Sequence, residues 1–373
     1  MSHVSEGPSS WYQRYILPGF AFKAAVIGGG YATGREMAEF FMPSGAWGGV
    51  LSMLLAMVIW SVIAALTFVF ARQAGALDYR HFFRELLGRF WFLYEIAFIL
   101  MLVIVLAVFG AAAGKIGESL LGLPTIVGTL LLVVGIAVFT SLGNTSVEAL
   151  FKWVSVLLYG VYALFVVLAL FRFGDRIDAA FAAPTVGPDW VVLGVTYAAY
   201  NIVGAIMILP VVRHLQSDRD AVIAGLLAGP MAMIPAVLFF VCMVAWPEAA
   251  SAALPSDFLL GKLGIPLLQM AFEIMIFAAL LESGTGTVNA FIERVAGVFK
   301  DRGKVMSAAQ RAGVALVLLT GAVFLADRFG IVELIAKGYR FLAWSFLAIY
   351  ILPLITIGLW RVTRPPASGL RGA

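Results

Sequence analysis

The sequence predicts an all-α polytopic membrane protein with ten transmembrane helices. Three observations lead there: composition, the length of the apolar runs, and the unequal sharing of Lys and Arg between alternate loops. Of 373 residues, 62% are hydrophobic and 12% are charged. A soluble domain carries roughly 25% charged residues, so this surface has to face lipid. Apolar runs cover nearly the whole chain, and residues 1–373 are read as one integral membrane domain.

A span needs about 20 apolar residues. Such spans fall near 15–41, 47–72, 90–113, 125–142, 147–171, 190–214, 221–246, 265–298, 309–326 and 331–361. Loops such as 42–46 are short, which makes neighbouring helices antiparallel. One set of alternate loops holds sixteen Lys and Arg residues and the opposite set five: Lys115, Arg172, Arg176, Lys262 and Arg328. The positive-inside rule then places both termini in the cytoplasm, which requires an even number of spans. The first fourteen residues are polar, and the apolar segment after them carries charges and no small-residue cleavage site, so it reads as a retained helix.

The first span is expected to be broken at Gly28, Gly29, Gly30, Tyr31, Ala32, Thr33 and Gly34. Each glycine disfavours helix by about 1 kcal/mol relative to alanine. Irregular backbone at membrane depth survives only where it is buried in protein or lines a cavity. A break there frees carbonyls for a cation, and the half-helix starting near Ala32 points its positive end at an anion. A small zwitterion matches that pair of fields. Close packing through Gly30 and Gly34 is the competing reading. A dinucleotide-binding loop is excluded, because no strand precedes the glycines.

The sixth span carries a fainter counterpart: polar Thr196, Tyr197, Tyr200 and Asn201, then Gly204 and Pro210. Interruptions at corresponding places in two halves point to a transporter site. Helices one and six correspond if residues 15–171 and 190–361 form two five-helix repeats. Five is odd, so those repeats would be inverted.

The run 28–36, the Tyr197 to Asn201 stretch and the run 289–294 (Asn289, Ala290, Phe291, Ile292, Glu293, Arg294) resemble the YkvI-like bacterial membrane proteins. That group belongs to the amino acid–polyamine–organocation superfamily, whose architecture is the LeuT fold. The resemblance implies a secondary transporter in the bacterial inner membrane, with substrate between the broken parts of helices one and six and flanked by helices three and eight. It implies a substrate site at Ile27, Gly28, Gly29, Gly30, Tyr31, Ala32, Thr33, Tyr197, Tyr200, Asn201 and Gly204. In sodium-coupled members of such a fold, an ion sits between helix-one carbonyls, here Ala24 and Ile27, and two hydroxyls of helix eight. Those hydroxyl positions fall on Glu282 and Ser283, so the pattern departs at the first.

Charges inside spans are costly and functional. Lys23 lies about eight residues into its span, roughly 12 Å at helical rise, and Glu282 lies inside the eighth. The two are expected to pair, the Lys23 ammonium standing where sodium would; that predicts proton coupling or ion-independent exchange, with sodium coupling as the alternative. Snorkelling of Lys23 to the interface is the other solution. Ser283 and Thr287 share one face of helix eight, and Thr285 and Asn289 another. Glu273, nine residues from Glu282, points the opposite way. Arg35, Glu36 and Glu39 follow the break, and a pairing of Glu36 or Glu39 with Arg340 would make an outer gate. Glu95, with Arg84 and Arg89, reads as an interfacial ion network.

No metal or resident cofactor is expected. Three scattered histidines make no cluster, and Cys242 is alone, with neither a disulfide partner nor a metal site. HExxH, GxSxG and nucleotide-binding loops are missing from the sequence, which argues against an enzyme or ATP-driven pump. The basic residues are spread over many loops and give no support to nucleic-acid binding. The expected partners are a small-molecule substrate and the lipid bilayer; oligomeric state stays open.

Overall fold

The computed structural model describes residues 9–142, 144–184, 186–301 and 303–363. His3, Arg302, Arg364 and Arg371 lie outside the described residues, as do the side chains of Lys152 and Lys300. Among the described residues all regular structure is helical. Six helical stretches are long and apolar enough to cross a membrane: Arg35–Ala74, Phe92–Leu121, Trp190–Met207, Asp218–Met243, Pro266–Ala296 and Ala309–Thr363.

The first expected span is divided into α1 (Leu17–Val26), a single turn Gly29–Ala32, and α2 (Arg35–Phe40). A tight turn at Met42–Ser44 leads to α3 (Gly45–Ala74). The amphipathic helix α4 (Tyr79–Leu87) starts where the Asp78 carboxylate accepts the His81 N–H at 2.9 Å, and it buries Phe82, Phe83 and Leu86. Then come α5 (Phe92–Leu121), α6 (Thr125–Leu142) and α7 (Asn144–Ala182). Two of these overrun the predicted ends: α5 continues past 113 and α7 past 171.

The sixth expected span holds α8 (Trp190–Asn201) and α9 (Val203–Met207), followed by a tight-wound turn Leu209–His214. After it come α10 (Asp218–Met243), the short α11 (Pro255–Leu263), α12 (Pro266–Asp301) and α13 (Ala308–Glu333), which opens with a Ser307–Gln310 capping box. A bend at Gly330 leads into the last helical stretch, with a wide turn at Leu334–Tyr339 before α14 (Arg340–Phe346).

Two packing groups position the site. In one, α10 lies along α3 and α1, and α8 lies along α3. The α3–α10 approach is close because Gly225 and Gly229 present backbone: a Cβ on either would fall 2.2 Å from Ala65 or Ser61. Ser61 closes the contact by donating to the Leu226 carbonyl at 3.0 Å, the small-residue packing that membrane helices use in place of hydrophobic drive. In the other group, α5, α6, α12 and α13 pack together.

Candidate functional site

The break in the first helix is real backbone geometry. Ile27 leaves helical angles (φ −75, ψ 83), and the Gly28 N–H turns back to the Val26 carbonyl at 2.8 Å. The chain then reverses again at Gly34, whose φ of +75 suits glycine; a Cβ there would sit 2.6 Å from Phe239. Thr33 is spent on this turn. Its hydroxyl donates to the Gly30 carbonyl at 3.1 Å, and its own carbonyl accepts the Ser256 N–H at 3.0 Å. The interruption of the sixth helix is milder than expected: Ile202 keeps helical angles (φ −62, ψ −17), and the Ala205 N–H reaches back only to Ile202.

A cavity of about 280 Å³ lies against the break. Its walls come from α1 and the break (Lys23, Ala24, Ile27, Gly28), from α5 (Phe109), from the sixth helix (Tyr200, Asn201) and from α12 (Glu282, Ser283, Thr287). Tyr339 and Glu36 complete it. The four helices expected around the substrate therefore enclose one space. Ser283 and Thr287 face it, while Thr285 is fully buried off its wall.

Several predicted site residues stand elsewhere. Gly204 packs against Phe22 and Ala25 of α1 and does not line the cavity. Tyr197 is enclosed by Phe40, Phe41 and Trp60. Tyr31 and Ala32 line a second, apolar cavity of about 280 Å³ between the break, Tyr162 and Pro235, which Lys23 and Ile27 also touch. Gly29 and Gly30 lie in the single turn that joins the half-helices. Lys23 and Glu282, expected to pair, line the same cavity. The space between helices one and eight leaves both charges facing the cavity.

Glu36 is the largest correction. It was expected at an outer gate; it is instead 3% exposed and lines the cavity. Gly30 makes room for it, since a Cβ on Gly30 would sit 2.3 Å from its Oε1. Tyr197, Tyr200 and Asn201 face the carboxyl, and Tyr31 and Tyr339 lie close enough to feel its charge. Its Oε2 and the hydroxyls of Tyr31, Tyr197 and Tyr200 nonetheless have no hydrogen-bond partner. The rings of Tyr200 and Tyr339 are 4.7 Å apart beside it. A buried carboxylate ringed by aromatic hydroxyls is costly unless something cationic or a proton completes it.

Of the two acids expected to meet Arg340, Glu39 makes the contact. It accepts from Arg340 at 3.4 Å and from Arg35 at 3.4 Å. Arg35 also donates to the carbonyls of Ala250 and Ala252, at 2.6 and 3.0 Å, tying α2 to the turn before α11. At the other end of the molecule Arg14 grips Asp220 with two bonds of 2.9 and 2.7 Å, and Tyr15 donates to the same carboxylate. Nearby, Glu95 meets Arg80 and Arg294 at 3.8 Å, and Arg294 stacks over Tyr79 and Phe98. Burial, and then its hydrogen bond to Glu95, push the Tyr79 hydroxyl up to about 12. Arg84 lies instead over the Trp91 ring.

No family model matches the chain. An uncharacterized membrane protein, YkvI, of Bacillus subtilis (strain 168) is 24% identical over 234 residues; the match spans 61% of this chain and 66% of that protein's length. Among solved structures, a Na+-coupled sialic acid symporter in a substrate-bound outward-open state superposes with a TM-score of 0.64. It is 14% identical, over 91% of this chain and 78% of its own. Mhp1, a nucleobase-cation-symport-1 family transporter, closed with bromovinylhydantoin bound, gives 0.60 at 14% identity, over 98% and 83% of the two chains. MhsT in complex with L-phenylalanine gives 0.54 at 15% identity, over 96% and 98%.

The fold is that of the LeuT-type transporters. A LeuT-type frame explains why the broken first helix, the sixth, the third and the eighth meet at one cavity. At these identities the shared property is the fold, and the chemistry of the cavity rests on this chain's own residues.

Proposed function

We propose that the chain is a secondary transporter that moves an amino acid or related small amine by alternating access through the cavity at the helix-one break. The observation that carries this reading is the buried Glu36 carboxylate, with its unpartnered Oε2, on the wall of that cavity. A substrate ammonium would meet Glu36, with Tyr200, Tyr339 and Phe109 offering ring faces beside it. Asn201 and the backbone at Ile27 and Gly28 would meet the rest of the solute. MhsT was solved with L-phenylalanine, a solute of the proposed class. The proposed setting is the bacterial inner membrane with both termini cytoplasmic, and the two halves are read as inverted repeats.

The coupling ion is proposed to act at Lys23 and Glu282. These two charges share the cavity with Ser283 and Thr287, and an ionisable group whose exposure to water changes over a transport cycle changes its affinity for a proton. Sodium is the second reading, favoured by a carboxylate and two hydroxyls on one wall.

The test is counterflow in proteoliposomes with a panel of radiolabelled amino acids and amines, with and without sodium and proton gradients. Wild type should exchange at least one amine saturably. Glu36→Gln should weaken its apparent affinity by roughly tenfold or more, the equivalent of about 1.5–3 kcal/mol for a hydrogen bond to a charged group. Saturable exchange of neutral solutes alone, with Glu36→Gln unaffected, would refute the assignment.

A further inference from the structure

Away from the cavity, on the face opposite the termini, a second buried carboxyl has no role in the site described. Glu273 of α12 is 1% exposed. Its Oε1 accepts the Ser119 hydroxyl of α5 at 2.8 Å, while its Oε2 is buried without a partner. Asp257 of α11 lies against the same face of α12, because Gln269, one turn before Glu273, reaches it. Asp257 in turn accepts the Gln269 amide at 2.6 Å. Each carboxyl thus has one neutral donor on one oxygen, and between them no donor is supplied.

The charges of the surrounding elements are engaged elsewhere. On α2, Arg35 and Glu39 pair with each other, and Glu36 faces the cavity. On α5, Lys115 pairs with Glu118. Lys262 of α11 and Arg176 of α7 both lie over the Trp246 ring, and Glu248 is exposed on its turn. Ser119 and Gln269, both neutral, are the donors that these two carboxyls meet. Glu273 is buried and Asp257 half-buried; two neighbouring carboxylates with no cation between them repel, and one shared proton relieves both.

We propose that Asp257 and Glu273 form a proton-binding site in which one shared proton clamps α11 onto α12 and α5. α11 is well placed to act as an outer lid. Its Ser256 N–H bonds to the Thr33 carbonyl at the helix-one break, so it touches the break and the acid pair at once. With the proton bound, a carboxylic O–H donates across the pair and α11 is held. When the proton leaves to water, two anions face each other and α11 is released. The clamp tightens as pH falls and loosens as pH rises.

The inference does not depend on what the cavity carries, and its test uses no solute. Hydrogen–deuterium exchange of the full chain in detergent micelles, corrected for intrinsic rates, is followed from about pH 5 to about pH 9. In wild type, residues 255–263 should lose protection at least threefold, to order of magnitude (~3-fold), as pH rises. Glu273→Gln should keep them protected throughout, because its amide N–H donates to Asp257 at every pH. Asp257→Asn should do the same from the α11 side, which covers the case of one variant failing to fold. Protection independent of pH in wild type, or an unchanged pH dependence in either folded variant, would overturn the site.

Discussion

At the scale of single residues, the two glycines that frame the break do different work. The nearest atoms to a Cβ on Gly30 all belong to the Glu36 side chain, with Oε1 at 2.3 Å. A side chain can swing away, so Gly30→Ala should leave folding nearly intact while displacing the carboxyl. The expected outcome is an amine-binding defect close to that of Glu36→Gln, with little change in melting temperature. Gly34→Ala meets both a φ of +75 and the Phe239 ring at 2.6 Å. It should destabilise by about 1–2 kcal/mol from backbone strain alone, read as a fall in melting temperature. If Gly30→Ala binds amines normally, Glu36 is not held where the structure places it.

At the scale of elements, α1 is anchored at its start by the Arg14–Asp220 contact and ends at Val26, where the break begins. Asp220 is 1% exposed and also accepts the Tyr15 hydroxyl and the Gln216 N–H. Asp220→Asn removes the charge these groups converge on, so α1 should detach more readily from α10. Hydrogen exchange over residues 12–26 should then rise while α12 stays unchanged; equal rises in both would mean global destabilisation instead.

The break itself was legible because its signal is local: glycines disfavour helix wherever they stand. The third and eighth helices around the cavity follow from the LeuT resemblance. The place of Glu36 was not legible. In a continuous helix Gly30 and Glu36 would lie about 9 Å apart along the axis and about 120° around it. The left-handed turn at Gly34 interrupts the helix between them and brings the carboxyl to Gly30. Gly204 misled for the converse reason, since a glycine that serves close packing with Phe22 and Ala25 looks in sequence like one that breaks a helix.

For the whole molecule, the proposed transport cycle needs contacts that close one face while the other opens. At the face opposite the termini Glu39 draws together Arg35 and Arg340, and Arg35 holds the carbonyls of Ala250 and Ala252. Arg340→Gln removes the half of this contact that comes from the last helical stretch and leaves Arg35 in place. It should raise the labelling rate of a cysteine introduced in the cavity by a membrane-impermeant reagent applied from that face. An unchanged rate would place the closing contact elsewhere.

The central claim is that Glu36 makes the cavity a seat for an ammonium group. Its most direct measurement is a thermal-shift comparison of matched pairs, each an amine and the alcohol of the same carbon skeleton, on wild type and Glu36→Gln. A ligand that binds the folded state raises apparent stability by RT ln(1 + [L]/Kd). The account predicts a concentration-dependent upward shift for at least one amine on wild type, little for its alcohol, and the loss of that difference in Glu36→Gln. Equal shifts for amine and alcohol, or an amine shift that survives Glu36→Gln, would contradict it.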